Sequence, residues 1–427
     1  MQNLRLKKLA FLAMLVAASA ATAQNFQPAA IVFKGADDFT NQELMDAAGL
    51  KLGMALSSDD VNAHAKQLMS SGMFESLGFR TEGDKLLIDL VPITQVFPLK
   101  IGNLPLEDGP VLDKRLHDAC PLYHGKITGD GGLTDDVKKA LEAMLAEQKI
   151  KATVTATPVA EPGAATVVAI RMDIATPPVL VGDFKEEVGS NTLDEAAQRI
   201  LTQQTGSPFD TEGTPVQVEA ALKTHYFDLG YLEADIHARP RFPAIETATA
   251  IRVPFSLTLS TGSMYRLAGI QLAPDVVVSQ ADFDHQSHLH PGDIADAPHV
   301  RSNWDYVRRQ YHDRGMMEAK VIPTPTFDSE KGTVSYLVTV EPGPVYTMGK
   351  LSLENVTDEL EASMLKQWKM PAGAVFDEGA IMTFFASGGD DPSLGRTFAS
   401  AKCTYVLKLN DDKTVDVVLR LDKKASL

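Results

Sequence analysis

Half of the ten histidines in this 427-residue chain fall between His285 and His312. The spacing His285-x-x-His288-x-His290 could set three imidazoles around a metal ion, with Asp282, Asp284 or Asp293 as a fourth ligand, because imidazole and carboxylate both suit zinc. The pattern occurs once, and Pro291-Gly292 beside it marks an exposed polar loop in which histidine is as acceptable as asparagine. His285, His288 and His290 therefore stand only as candidates, and no metal or other cofactor is expected. His312 and Asp313 are adjacent, a spacing that does not orient an imidazole onto a nucleophile. No G-x-S-x-G elbow, phosphate-cradling glycine loop or dinucleotide fingerprint occurs. Cys120 and Cys403 are 283 residues apart and form no C-x-x-C or zinc spacing. The sequence contains no recognisable active site, so the chain is not expected to be an enzyme.

The elements that would carry any site are written more than once. Tyr226 opens YFDLGYLEADI and Tyr311 opens YHDRGMMEAKV, with a looser copy, MSSGMFESLGF, from Met69. Their glycines Gly72, Gly230 and Gly315 are 158 and 85 residues apart. The first interval is twice 79, and KIKATVTATP from Lys149 lies midway, with Gln148 in the glycine's place. A fifth copy, GRTFASAKCTYVLKL, begins at Gly395. Self-similarity at a fixed period implies an array of like units. A disulfide between Cys120 and Cys403 would require distant units to touch, which a linear array does not allow.

One unit has a readable order. Ala30–Phe33 is a short apolar strand, and Thr40 with Glu43 forms a capping box for a helix ending near Gly49. Ser57 or Ser58 caps a second helix carrying Val61, Ala65, Leu68 and Met69 at helical spacing. Gly72 fits a left-handed C-terminal cap. Strands follow at Glu75–Arg80 and Lys85–Ile93. Later units repeat this: Asp296 or Ser302 caps a helix carrying Trp304, Val307 and Tyr311, and a turn at Asp328–Gly332 precedes TVSYLVTV. Glu233 and Glu318 enter second strands at equal positions and read as tolerated surface residues. Gly388-Gly389 reads as a loop interrupting a helix. Junctions recur at FPLKIG, PVLVG, YRLAG and YTMG, each beginning a unit's first strand.

Arg5, Lys7 and Lys8 precede an apolar run from Leu9 to Ala21 and an Ala21-Thr22-Ala23 cleavage site, the layout of a secretory signal peptide. The run is too short to span a bilayer, so no transmembrane segment is expected in the mature chain. Losing three cations with this leader takes the formal charge from −16 to −19. A chain this acidic repels phosphate backbones and anionic headgroups, which argues against nucleic acid or a bilayer surface as the main ligand.

The succession of second helix, glycine, G-[YM]-x-E-A strand, hairpin and EPGPVYTMGKLSLENV from Glu341 resembles the POTRA (polypeptide-transport-associated) domain. The layout is similar to the periplasmic arm of the outer-membrane barrel assembly factor; a β-barrel after the last repeat is not expected, since the residues up to Leu427 leave no room for one. The expected fold is α+β: a linear array of five POTRA-like repeats, each strand-helix-helix-strand-strand, with a three-stranded mixed sheet covered by two helices on one face. Expected boundaries are 1–23 for the signal peptide, then 24–97, 98–178, 179–264, 265–345 and 346–427. The resemblance implies a periplasmic scaffold, associated with the outer membrane, for outer-membrane protein assembly or export. Its partners would be unfolded outer-membrane polypeptides or a separate barrel protein. It further implies that client strands add by β-augmentation to the second strand of a sheet. In the third repeat those residues are Ala234, Asp235, Ile236, His237, Ala238 and Arg239. In the fourth they are Ala319, Lys320, Val321 and Ile322, the two strands ending at Pro240 and Pro323. The alternative is a structural, envelope or division-associated protein that binds one folded partner.

Overall fold

The computed structural model describes residues 26–161, 163–187 and 191–423; the expected leader lies outside them. The chain divides into two compact units. One runs to Leu222 and takes in Ile236–Leu259, and the other comprises Lys223–Asp235 and the residues from Ser260 onward.

In the first unit, β1 (Ala30–Lys34) leads to α1 (Asn41–Ala48), α2 (Ser58–Ser70), β2 (Phe74–Glu82) and β3 (Lys85–Pro92). The sheet order is β1-β3-β2, with β1 parallel and β2 antiparallel to β3. Thr40 and Glu43 form the expected capping box, as do Ser57 and Asp60. Next come β4 (Phe97–Ile101), α3 (Pro110–Ala119), β5 (Lys126–Ile127), α4 (Gly132–Glu147), β6 (Val154–Ala160) and β7 (Val167–Ile174). They build a sheet of order β5-β4-β7-β6. The third set, of which the residues from Lys223 to Asp235 belong to the second unit, is β8 (Val179–Glu186), α5 (Glu195–Gln204), α6 (Gly213–Asp228), β9 (Asp235–Pro240), β10 (Ile245–Glu246) and β11 (Ile251–Ser260). Here β11 lies between β8 on one side and β9 with β10 on the other. These last two sheets each have four strands where three were expected, because the short β5 and β10 pair antiparallel with β4 and β11.

The second unit holds β12 (Arg266–Leu272), α7 (Gln280–Gln286), α8 (Ala297–His312), β13 (Lys320–Asp328) and β14 (Thr333–Glu341), in sheet order β12-β14-β13. It continues with β15 (Thr347–Glu354), α9 (Asp358–Gln367), α10 (Glu378–Ser387), α11 (Pro392–Ser400), β16 (Ala401–Leu409) and β17 (Thr414–Lys423), in order β15-β17-β16. The fold is thus α+β, with several small mixed sheets, and no described helix is long and apolar enough to cross a membrane.

Each central strand alternates because only one of its faces is covered. In β11, Ile251, Val253, Phe255, Leu257 and Leu259 are buried, and every residue between them is less so. Val334, Tyr336 and Val338 of β14 pack with Phe283, Val300, Val307 and Tyr311 from the helices. Val415, Val417 and Leu419 of β17 pack with Met364, Ile381, Phe384 and Phe398. The last helix is broken where the sequence suggested: Gly388 and Gly389 have φ of 71° and 68°, and Asp391 caps a new start at Pro392.

Two glycine equivalences are corrected. Gln148 keeps φ −84°, and the left-handed position falls one residue later, on Lys149 at φ 63°. The Ile150 N–H donates to Leu145 O across that cap, the same five-residue reach that Tyr231 makes to Tyr226 and Met316 to Tyr311. Gly395 lies inside α11, where a side chain would approach Ser387 O within 3.1 Å; its role is close helix approach, not a turn.

Candidate polypeptide-binding edges

Backbone N–H groups in a strand alternate between its two neighbours, so pairing on one side fixes what the other side presents. Among the described residues, β2, β6, β9, β13 and β16 each pair with one strand only and form one edge of their sheets.

Arg266 N–H donates to Gly332 O and Ala273 N–H to Val338 O, so even-numbered residues of β14 face β12 and odd ones face β13. With Thr324 opposite Leu337 and Thr326 opposite Ser335, the outward residues of β13 are Val321, Pro323, Pro325 and Phe327. Pro323 therefore does not end the strand as expected. Its missing N–H falls on the outer side, where the ladder does not need it, and β13 runs on to Asp328. That edge keeps N–H donors only at Val321 and Phe327. Ala319 is buried and precedes the strand.

In β9, Arg241 N–H donates to Pro254 O while Ala238 N–H donates to Glu219 Oε1 at 2.9 Å. Ile236, Ala238 and Pro240 therefore face outward, and His237 and Arg239 face β11. One outward donor is held by the α6 carboxylate and another position is proline. Ala234 precedes the strand, and the Ile236 side chain is fully buried. The same device occurs in β6: Val154 N–H donates to Glu142 Oε1 at 2.8 Å, and Pro158 occupies the same outward set.

Two edges carry no proline. Ala29 N–H donates to Asp84 O, so odd residues of β3 face β2; with Gly78 opposite Asp89, the outward donors of β2 are Leu77, Phe79 and Thr81. Thr347 N–H donates to Lys413 O and Asn410 N–H to Thr414 O, which turns Tyr405, Leu407 and Leu409 of β16 outward.

The repeated E-A motif has partners that its sequence context did not reveal. The Tyr265 hydroxyl donates to Glu233, and the Tyr346 hydroxyl donates to Glu318. In both copies the tyrosine N–H also bonds the carbonyl of the glycine before the motif, Tyr265 to Gly230 at 2.9 Å and Tyr346 to Gly315 at 2.8 Å. The Tyr346 hydroxyl, with Lys413 nearby, holds the Glu318 carboxyl below its ordinary range. The usable signal was the joint recurrence of E-A with the Tyr-led junction. These contacts fasten the residue before β12 to the turn between α6 and β9, and the residue before β15 to the turn between α8 and β13.

His312 and Asp313 serve a similar purpose. His312 Nδ1 meets Glu378 Oε2 at 2.6 Å, the Tyr405 hydroxyl donates to the other Glu378 oxygen at 2.8 Å, and Asp313 accepts the Gly379 N–H at 3.0 Å. Burial, with Asp377 close by, raises the Asp313 carboxyl. His285 lies in α7, and His290 uses its N–H on the Asp293 carboxylate. Among the described residues, no three ligating groups converge at His285, His288 or His290.

No protein-family profile matches the chain. Among solved structures, the chain is similar to POTRA domains 3–5 of Haemophilus influenzae BamA, at 15% identity over 57% of this chain and 96% of that one, TM-score 0.41. It is also similar to POTRA domains 1–3 of the periplasmic domain of Omp85 from Anabaena, at 17% identity over 58% and 96%, TM-score 0.25. A further similarity is to the N-terminal domain of Omp85 from Thermosynechococcus elongatus, at 17% identity over 58% and 99%, TM-score 0.23.

Proposed function

We propose that the chain is a string of POTRA-like repeats with the boundaries expected from sequence, serving as a periplasmic scaffold for outer-membrane protein assembly or export. It binds extended polypeptide by β-augmentation, in which main-chain hydrogen bonds supply affinity without demanding a particular sequence. The observation that carries this reading is the uneven placement of proline on the outer edges. Runs of outward N–H donors survive on β2 at Leu77, Phe79 and Thr81, and on β16 at Tyr405, Leu407 and Leu409. Those two strands are the foremost client edges. Asp235–Arg239 of β9 and Lys320–Ile322 of β13 take shorter contacts, since each edge has lost donors to proline or to Glu219.

A second reading, docking of one folded partner or of a separate barrel subunit, is favoured by a cleft of about 720 Å³ beside α10. Asp313, Trp368, Val375, Asp377, Thr383 and Phe384 line it, and Val375 is 57% exposed.

The test uses a strand-forming peptide of about ten residues, the length of one barrel strand, N-methylated at alternate positions. Methylation on one parity should abolish binding and on the other preserve it. Thr81→Pro, which removes an outward donor at an exposed position, should stay folded and bind less well. Unchanged binding by folded Thr81→Pro would reject strand addition at β2, and equal binding of both methylated peptides would reject it at every edge and leave the docking reading.

A further inference from the structure

Outside the edges, one side-chain cluster has a geometry that the fold alone does not require. Glu43 in the first turn of α1, His117 in the last turn of α3 and His124 in the following loop bring one ligand atom each within 4.8 Å of the others. His117 Nε2 and His124 Nε2 both stand 3.3 Å from the same oxygen, Glu43 Oε1.

The proton inventory at His117 is constrained. Its Nδ1 lies 2.9 Å from the Tyr123 carbonyl, which can only accept, so Nδ1 carries the hydrogen and a neutral ring presents a bare Nε2 lone pair. Tyr123 is itself held, its hydroxyl donating to Asp113 at 2.7 Å and its N–H to Cys120 O at 2.8 Å. A ring nitrogen oriented through a hydrogen bond from its opposite nitrogen is the usual support of a metal ligand. Here it aims a lone pair at a carboxylate oxygen, an arrangement that needs a cation between them.

A proton on Nε2 is the simplest cation, but the distance argues against it. Charge-assisted N–H···O contacts close to about 2.7–2.9 Å, and this chain's other histidine–carboxylate pairs do so, 2.6 Å at His312–Glu378 and 2.8 Å at His299–Asp296, while its exposed Lys139–Asp136 and Arg301–Asp228 pairs stand at 3.3 Å. Ligands about 2.0–2.1 Å from a tetrahedral ion are instead separated by roughly 3.3–3.4 Å. Both contacts at Glu43 match that edge. The two imidazole rings also sit 5.1 Å apart at 84°, leaving each nitrogen its own approach.

The geometry points to a divalent-cation site, best fitted by Zn²⁺, with Glu43, His117 and His124 as three ligands and a fourth position open to water. Two imidazoles and one carboxylate are a borderline donor set that zinc accepts. Thr40 keeps the carboxylate aligned, its N–H donating to Glu43 Oε2 at 2.6 Å. The histidine side chains are 38% and 43% exposed, so an ion can enter from solvent. Bound there, it would tie α1 of the first sheet to α3 and the loop of the second.

The experiment titrates Zn²⁺ into the untagged, chelator-stripped full chain against a chromophoric zinc indicator, with thermal unfolding followed in parallel. Expected are one high-affinity ion per chain and a zinc-dependent rise in Tm. His124→Asn, at an exposed position, should weaken binding at least tenfold, since even loss of a supporting hydrogen bond costs about 10–100-fold. Glu43→Gln should do the same while keeping the helix cap, because glutamine also completes a capping box. His288→Asn should change nothing. Absence of saturable binding, or binding that both folded variants retain within twofold, would overturn the site. If Glu43→Gln fails to fold, His124→Asn decides alone.

Discussion

Replacing Gly315 by alanine should damage the chain more than a left-handed glycine alone predicts. Gly315 has φ 79°, a conformation that costs a residue with a Cβ about 1–2 kcal/mol. A Cβ there would stand 2.7 Å from the Tyr346 carbonyl oxygen, with Val375 and Val345 methyls at 3.1 and 3.2 Å. The carbonyl cannot retreat freely. It accepts the Phe376 N–H at 3.0 Å, while the Tyr346 N–H holds Gly315 O at 2.8 Å. Forced overpacking of this kind adds about 1–3 kcal/mol, for a total of roughly 2–5 kcal/mol. Gly373 is the control: its φ is 83° but no atom lies within 4 Å of its Cβ position, so Gly373→Ala should cost only about 1–2 kcal/mol. Urea unfolding read by tryptophan fluorescence suits the test. The chain's two tryptophans, Trp304 and Trp368, pack against the cores on either side of this junction. A Gly315→Ala cost no larger than that of Gly373→Ala would refute the close-approach argument and leave only a turn.

The opposite substitution at Lys149 should stabilise. Lys149 pays the left-handed strain at φ 63°, so Lys149→Gly should gain about 0.5–1 kcal/mol in urea unfolding. Asp313→Asn should raise the urea midpoint at neutral pH, because burial and the neighbouring Asp377 disfavour the folded carboxylate while an amide oxygen can still accept from Gly379. A carboxyl raised in the folded state is penalised only where the unfolded one is ionised. The gain should therefore vanish as pH falls below the ordinary value of 3.8 and reach its full size only above the raised value of the folded carboxyl. Cys120 is buried, and its thiol is pushed up to about 11 by that burial, so a maleimide at pH 7.5 should label it only after unfolding, as mass spectrometry of the native and denatured chain would show.

Features whose partners lie a few residues away were legible in the sequence. The caps at Thr40, Ser57 and Asp296, the glycine turns at Gly230 and Gly315, the alternating third strands and the interrupted last helix follow from helical and strand periods and from backbone sterics, all local quantities. The repetition of these signals set the order of elements. Which backbone groups face outward was beyond local reading, because it depends on pairing between strands far apart in the chain, such as β12 with β14 and β1 with β3. Only that pairing turns Pro323 and Pro325 from strand breakers into edge residues. Side-chain meetings were hidden for the same reason. Tyr265 finds Glu233 across 32 residues, and Tyr346 finds Glu318 across 28. Histidines are densest at His285–His290, where among the described residues no three ligating groups converge, while Glu43, His117 and His124 gather although neither histidine is near Glu43 in sequence. Spacing along a chain limits which side chains can share a helix face or a loop; which faces come together is settled by burial of the apolar stripes, and that is a property of the packed structure.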